Sequence, residues 1–406
     1  MGLPCVAAPA PSASSRVAGL MERHGERPVL AGILAISLLL RSAVIGIYLT
    51  YDELLWIKRA DRIYGLISQL DFTPSEWAPP HHPGLTVTVP MGLLTNLLEG
   101  VLPAYVMARI PQTILGSLTP LLLYLFCRGF APRGVATLAA LLLALEPTHI
   151  GLSSIAHVDV ALAFFFLLTT YAFVRGLESR RWMVLSGVSF GLALLTKMPA
   201  WLLLPTVVGA LLLARLVGSV RGKGDTSSMP RPGRALLPML GLWLATGLLV
   251  FSLWPWLWDP HNLPVYWARM VETHARGGHP VFFLGAPTMA PPPYQYIVLL
   301  PVHLSPLTMM GLAIAVCACR RALAPPSIHR AVLLSSTIIP FVALSLAKSS
   351  GFRYLCMIFP FLAALAALGW AYMRERLLEL RRPSTPGARG PTAPPARTPC
   401  SLDNRH

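Results

Sequence analysis

The chain has 406 residues, 54% of them apolar and only 12% charged, with a mean hydropathy of +0.60. Soluble domains carry about 25% charged residues, so this composition excludes a soluble fold. The formal net charge of +16 would suit a nucleic-acid binder, but the cations sit in loops between apolar runs, as membrane topology requires. Runs of about 17 to 25 apolar residues recur along the chain, which predicts an all-α polytopic integral membrane protein.

In chain order, the Pro/Ala/Ser-rich start "MGLPCVAAPAPSASSR" predicts a disordered cytoplasmic tail over 1–27. It lacks a signal-peptide cleavage site, and Pro4-Cys5-Val6 lacks the Ser/Thr of a myristoylation motif. Ten spans are expected, at 28–50, 109–127, 134–151, 160–176, 182–196, 199–217, 235–253, 294–317, 331–347 and 354–373. With the N-terminus in the cytoplasm, 23 of the 33 Lys and Arg fall on the inner face. Among them are the basic loop 215–234, Arg320, Arg321 and the Pro/Arg-rich tail 374–406, also expected to be disordered. Nine lie outside and Arg41 sits within the first span, a bias that supports this orientation.

The first outer loop, 51–108, opens with "YLTYDELLWIKRADRIYG". Thr50-Tyr51-Asp52-Glu53 matches the S/T-x-x-E capping box, with Glu53 at N3. Adjacent helical residues point about 100° apart, so one acid can cap while the other faces a pocket. Over 54–70, Trp56, Ala60, Ile63, Ile67 and Leu70 share one helical face, opposite Lys58, Arg62, Gly65 and Gln69. That pattern predicts an interfacial helix, with Trp56 as its anchor at the membrane surface. His81-His82-Pro83-Gly84 follows Pro79-Pro80 as a rigid turn; no third ligand at diagnostic spacing makes it a metal site. Residues 85–105 carry Pro90, Asn96, Glu99 and Pro103, so they read as an interfacial or re-entrant helix rather than a span. The second long outer loop, 254–293, is rich in Trp, His and Pro. The six cysteines, Cys5, Cys127, Cys317, Cys319, Cys356 and Cys400, have neither disulfide nor zinc spacing.

Asp52, Glu53, His81, His82, His157, Asp159, Lys197, Lys348 and Arg353 all fall near outer helix ends. Charge at membrane depth is costly and marks function by default, and one common side lets separate chain regions converge. Bland readings compete: helix capping for the acids and snorkelling for Lys197 and Arg353. His157 reads as a structural polar residue outside the core site.

The acidic pair, the outer helix and the "HHPG" turn are followed by "ARIPQTILGSLTPLLLYLFCRGFAPRGVATLAALLLALEP", "HVDVALAFF", "GLALLTKMPAWLLLP", "WPWLWDP" and "FRYLCMIFPFLAALAAL". Together, over about 28–373, these resemble the GT-C glycosyltransferases, in the branch of protein O-mannosyltransferases and lipid A aminoarabinose transferases. The resemblance implies transfer of a sugar from a polyprenyl (dolichyl-type) phosphate donor to a lipid, glycan or protein hydroxyl, with inversion, on the extracytoplasmic face. A bacterial inner (plasma) membrane is the expected location, with the site on the periplasmic or extracellular side. It implies Asp52 as general base, with Glu53 beside it and Asp159 orienting the acceptor or sugar. Lys197, Arg353 and His82, which stands where Lys is commoner, would hold the donor phosphate. No metal ligand is assigned, and a divalent cation stays an open alternative. A flippase or other transporter of lipid-linked sugars is the rival reading, opposed by the absence of repeated halves and of midplane charge. A non-catalytic subunit or an O-antigen ligase-like enzyme is a second.

Overall fold

The computed structural model describes residues 13–47, 49–79, 82–220, 236–276, 280–318, 327–348 and 351–381. His81, most of the basic loop, Arg320, Arg321 and the tails 1–12 and 382–406 lie outside these residues. The expected tail 1–27 is helical from residue 13: α1 is Ala13–Val44. Residues 13–27 hold no proline and are rich in Ala, Arg, Leu, Met and Glu, which favour a helix, and α1 continues through Pro28.

After α1 come α2 (Tyr51–Ser68), α3 (Leu85–Leu97), α4 (Ala104–Arg128), α5 (Arg133–Ala144), α6 (Pro147–Ser153), α7 (Asp159–Gly176) and α8 (Arg180–Thr196). Then follow α9 (Leu203–Val220), α10 (Leu236–Phe251), α11 (Asn262–Arg276), the strands β1 (Val281–Phe283) and β2 (Ala286–Thr288), α12 (Gln295–His303) and α13 (Pro306–Cys317). Ile328–Leu346 is α14 and Phe359–Arg381 is α15. The chain is an integral membrane protein. Among the described residues, six helical stretches are long and apolar enough to cross a bilayer, or seven if α5 and α6 form one bent span.

Two of the ten expected spans are broken, each for a local reason. The run 134–151 bends by 60° between α5 and α6. Glu146 there precedes Pro147 and is extended (ψ 113°), because a residue before proline is driven out of the helical region. The run 294–317 breaks at Leu304–Ser305, where Ser305 caps α13 and Pro306 occupies its first turn. The two breaks are joined: the Glu146 carboxylate accepts from Ser305 N at 3.0 Å and from Thr308 Oγ1 at 3.1 Å. A buried helix terminus must find such partners.

Packing follows small residues and apolar stripes: α7 on α8, α8 on α10, α9 on α14, and α13 and α5 on α15. Where α13 crosses α15, a Cβ on Gly369 would sit 2.0 Å from the Gly311 carbonyl oxygen, so this close approach needs glycine. Helix α2 departs from expectation. Its apolar face, Ala60, Ile63 and Leu66, is buried against α3 rather than laid on lipid, while Leu70 lies beyond the helix and is exposed. With 13 residues, α3 is about 20 Å long, too short to span.

Candidate active site

The α8 helix stops at Thr196 because Lys197 turns to an extended conformation (φ −156°, ψ 143°). That turn sends its side chain inward to Asp159, the first residue of α7. Lys197 Nζ lies 2.5 Å from Asp159 Oδ1, and the two side chains are 2% and 3% exposed. A buried carboxylate survives only when paired, and more than one cation attends this one. Arg353 Nε is 3.9 Å from Asp159 Oδ2, and Arg353 Nη1 pairs with Asp52 Oδ2. Tyr354 places its ring 4.2 Å from Lys197 Nζ. Asp52, 40% exposed, and Arg353, 37% exposed, are the accessible members.

His157, read from the sequence as outside the core, belongs to this cluster. Its Nδ1 is 2.7 Å from Asp159 Oδ2, off the line that a ring N–H needs for a hydrogen bond. Burial pushes this imidazole below its ordinary range against the upward pull of Asp159.

Glu53, expected among the catalytic acids, lies in a buried ion-pair network away from the Asp52–Arg353 pair. It is fully buried and each carboxylate oxygen takes two hydrogen bonds. Oε1 accepts from Arg109 Nε at 2.7 Å and Ala156 N at 2.7 Å; Oε2 accepts from Arg109 Nη2 at 2.8 Å and Thr50 N at 2.7 Å. Burial by itself raises the carboxyl pKa, but these bonds outweigh it and leave Glu53 below its ordinary value. The Thr50 contact is the predicted capping interaction. The partner Arg109, which also donates to the Ile45 carbonyl at 2.5 Å, was signalled only by being a cation at the head of an apolar run.

The "HHPG" turn is tied to the same region through its backbone. Gly84 N donates to the Thr196 carbonyl at 3.1 Å, and Thr86 Oγ1 is 2.6 Å from Thr196 Oγ1, beside Lys197. Arg59 Nη1 donates to the His82 carbonyl at 2.6 Å. Gly84 has φ +66°, and a Cβ there would meet the Trp56 ring at 2.3 Å. Trp56 itself packs edge-on against His157, with ring centroids 5.6 Å apart. Trp56 is half-buried, and the turn packs against its ring. The structure thus gathers Asp52, Asp159, Lys197 and Arg353, leaves Glu53 enclosed behind them, and gives His82 a backbone tie. Lys348 is exposed. Among the described residues, no three His, Cys, Asp or Glu side chains come together as a metal site.

The fold has known counterparts. Residues 93–222, about a third of the chain, match the family model of the dolichyl-phosphate-mannose-protein mannosyltransferases. The structure resembles the archaeal oligosaccharyltransferase AglB from Archaeoglobus fulgidus, solved with an inhibitory peptide and a dolichol-phosphate, with a TM-score of 0.60 at 16% identity. It also resembles ArnT from Cupriavidus metallidurans bound to undecaprenyl phosphate, with a TM-score of 0.59 at 16% identity. The matches cover 89% and 86% of this chain but only 51% of AglB and 62% of ArnT. No curated protein sequence matches it. The fold is the GT-C fold of membrane glycosyltransferases. The family-model match, over about a third of the chain, agrees with that fold.

Proposed function

We propose that the chain is a membrane glycosyltransferase that moves a sugar from a polyprenyl-phosphate donor to an acceptor hydroxyl on the extracytoplasmic face of the membrane. The observation that carries this reading is the accessible Asp52–Arg353 pair standing on the buried Asp159–Lys197 pair. Asp52 takes the acceptor's proton, and the acceptor oxygen attacks the anomeric carbon as its bond to the phosphate breaks. The electron pair leaves on the phosphate, where the accessible Arg353 meets the developing charge and Lys197, held on Asp159, adds positive potential from behind it. Arg353 is shared between Asp52 and Asp159, so a phosphate that draws it away frees Asp52 to act as base. Attack opposite the phosphate inverts the anomeric carbon. The solved relatives with dolichol-phosphate and undecaprenyl phosphate support a lipid-phosphate donor. So does an apolar cavity of about 400 Å³ beneath Thr86, lined by Val89, Pro90, Leu192, Leu195 and Trp258, which suits an isoprenoid tail. The transporter reading fits less well, because Asp159, Lys197 and Arg353 sit at helix ends rather than at the midplane. A transfer assay with a polyprenyl-phosphate sugar tests the reading. Asp52→Asn should abolish transfer while protein abundance is unchanged; wild-type rates would remove Asp52 from the mechanism.

A further inference from the structure

The outer segment between α11 and α12 holds a two-stranded hairpin, β1–β2, with Phe283 opposite Ala286 and a two-residue turn at Leu284-Gly285. Both turn residues have positive φ, 49° at Leu284 and 88° at Gly285. Such turns suit the twist of the strands but call for Asn, Asp or Gly at the first position, because a branched apolar side chain gains nothing in the left-handed region. Strain of this kind persists where something outside local backbone preference holds it. Packing within the chain is not that something: Leu284 is 73% exposed. Its neighbour Phe282 is 72% exposed, while Phe283, on the opposite strand face, is buried against the Tyr294 ring at 6.1 Å.

The surroundings name the medium that would take these side chains. No charged residue occurs from Val281 to Ala318, and the hairpin runs directly into α12 and α13. The exposed residues of that pair are themselves apolar: Ile297, Val302, Leu307 and Met310. Its active-site end is held by Tyr296, whose hydroxyl donates to the Gly351 carbonyl at 3.3 Å, two residues before Arg353. The strained apolar tip therefore continues a lipid-facing surface at the level of the candidate active site. Helix α11 repeats the theme, with Leu263, Trp267 and Val271 exposed at i, i+4 and i+8 along one stripe.

We infer that the β1–β2 tip is a membrane wedge: Phe282 and Leu284 insert into the acyl chains of the leaflet on the active-site side and seat the outer segment beside α12. This does not depend on the transferase reading, and its test does not use activity. The full-length chain would carry Ser at Cys5, Cys317, Cys319 and Cys400, with the buried Cys127 and Cys356 kept. Single nitroxide labels at Phe282→Cys or Leu284→Cys would be measured in phospholipid vesicles by collision with oxygen and with a water-soluble nickel chelate. Ile297→Cys serves as the lipid reference, and His261→Cys, whose native side chain is 95% exposed, as the aqueous one. The expected result is an oxygen-to-nickel collision ratio at the tip several-fold above that of His261 and close to that of Ile297. A ratio equal to that of His261, or protection from both probes, would overturn the wedge. Leu284→Asn gives a second reading: in detergent its thermal stability should match or exceed wild type, while the label at Phe282→Cys loses its lipid signature in vesicles. A loss of stability in detergent would make Leu284 a packing residue and overturn the inference.

Discussion

Asp52 and Asp159 carry the same carboxyl group into opposite surroundings, and the difference assigns their roles. Asp159 is enclosed with Lys197 and cannot meet an acceptor without breaking a buried pair, whereas Asp52 is open on one side. Lys197→Ala leaves the buried carboxylate without its nearest cation. It should cost about 3–5 kcal/mol, read as loss of folded protein in detergent by thermal unfolding. Arg353 is more than a third exposed, and pairs of that kind add little stability. Arg353→Ala should therefore leave the melting temperature nearly unchanged while slowing sugar transfer about 10²- to 10³-fold, read from initial rates at saturating donor. His157 gives a pH signature. Its folded pKa lies below the unfolded value of 6.5, so its contribution to stability is present above pH 6.5 and is lost as pH falls through the folded value. Melting temperature should be level from pH 8 to 7 and decline below about pH 6.5, with a shallower decline in His157→Gln.

At the scale of elements, the Glu53–Arg109 pair clamps α2 and α4, and Ala156 N adds the loop that leads into α7. Removing one partner of so buried a pair costs about 3–5 kcal/mol. Arg109→Ala should thus lower thermal stability, and the double variant Arg109→Met/Glu53→Leu should recover part of the loss. Gly84→Ala meets both a left-handed backbone and the Trp56 ring. It should destabilise by about 1–3 kcal/mol and reduce transfer, since the turn ties the α8 terminus beside Lys197. The amphipathic period of α2 was legible in the chain, but its partner was not. Apolar spacing declares that a face will be covered, and only packing decides between a lipid surface and α3.

For the whole molecule, helices that alternate in direction bring every second connection to one end of the bundle. That is how Asp52, Asp159, Lys197 and Arg353 meet although they come from four separate segments. The charge bias predicts that the α7–α8 turn faces the cytoplasm and the 254–293 loop the exterior. In intact cells, a membrane-impermeant maleimide should therefore label His261→Cys and leave Glu178→Cys unlabelled; the reverse pattern would invert the topology.

Composition and apolar runs are enough to give a helical membrane protein, and the positions of Asp159, Lys197 and Arg353 in the chain put them near helix ends. Hydropathy is a sum over neighbouring residues, and the cost of charge in lipid acts on each residue where it stands. Only the folded chain sets which carboxylate is open to solvent and which is enclosed. Lys197 reaches Asp159 across 38 positions, Arg109 reaches Glu53 across 56, and Arg353 reaches Asp52 across 301. The capping box marked the bond from Thr50 N to Glu53, but the partners that enclose Glu53, Arg109 and Ala156 N, come from distant segments. Burial and long-range partnership are properties of the folded neighbourhood, so a local pattern records the cap and not the rest.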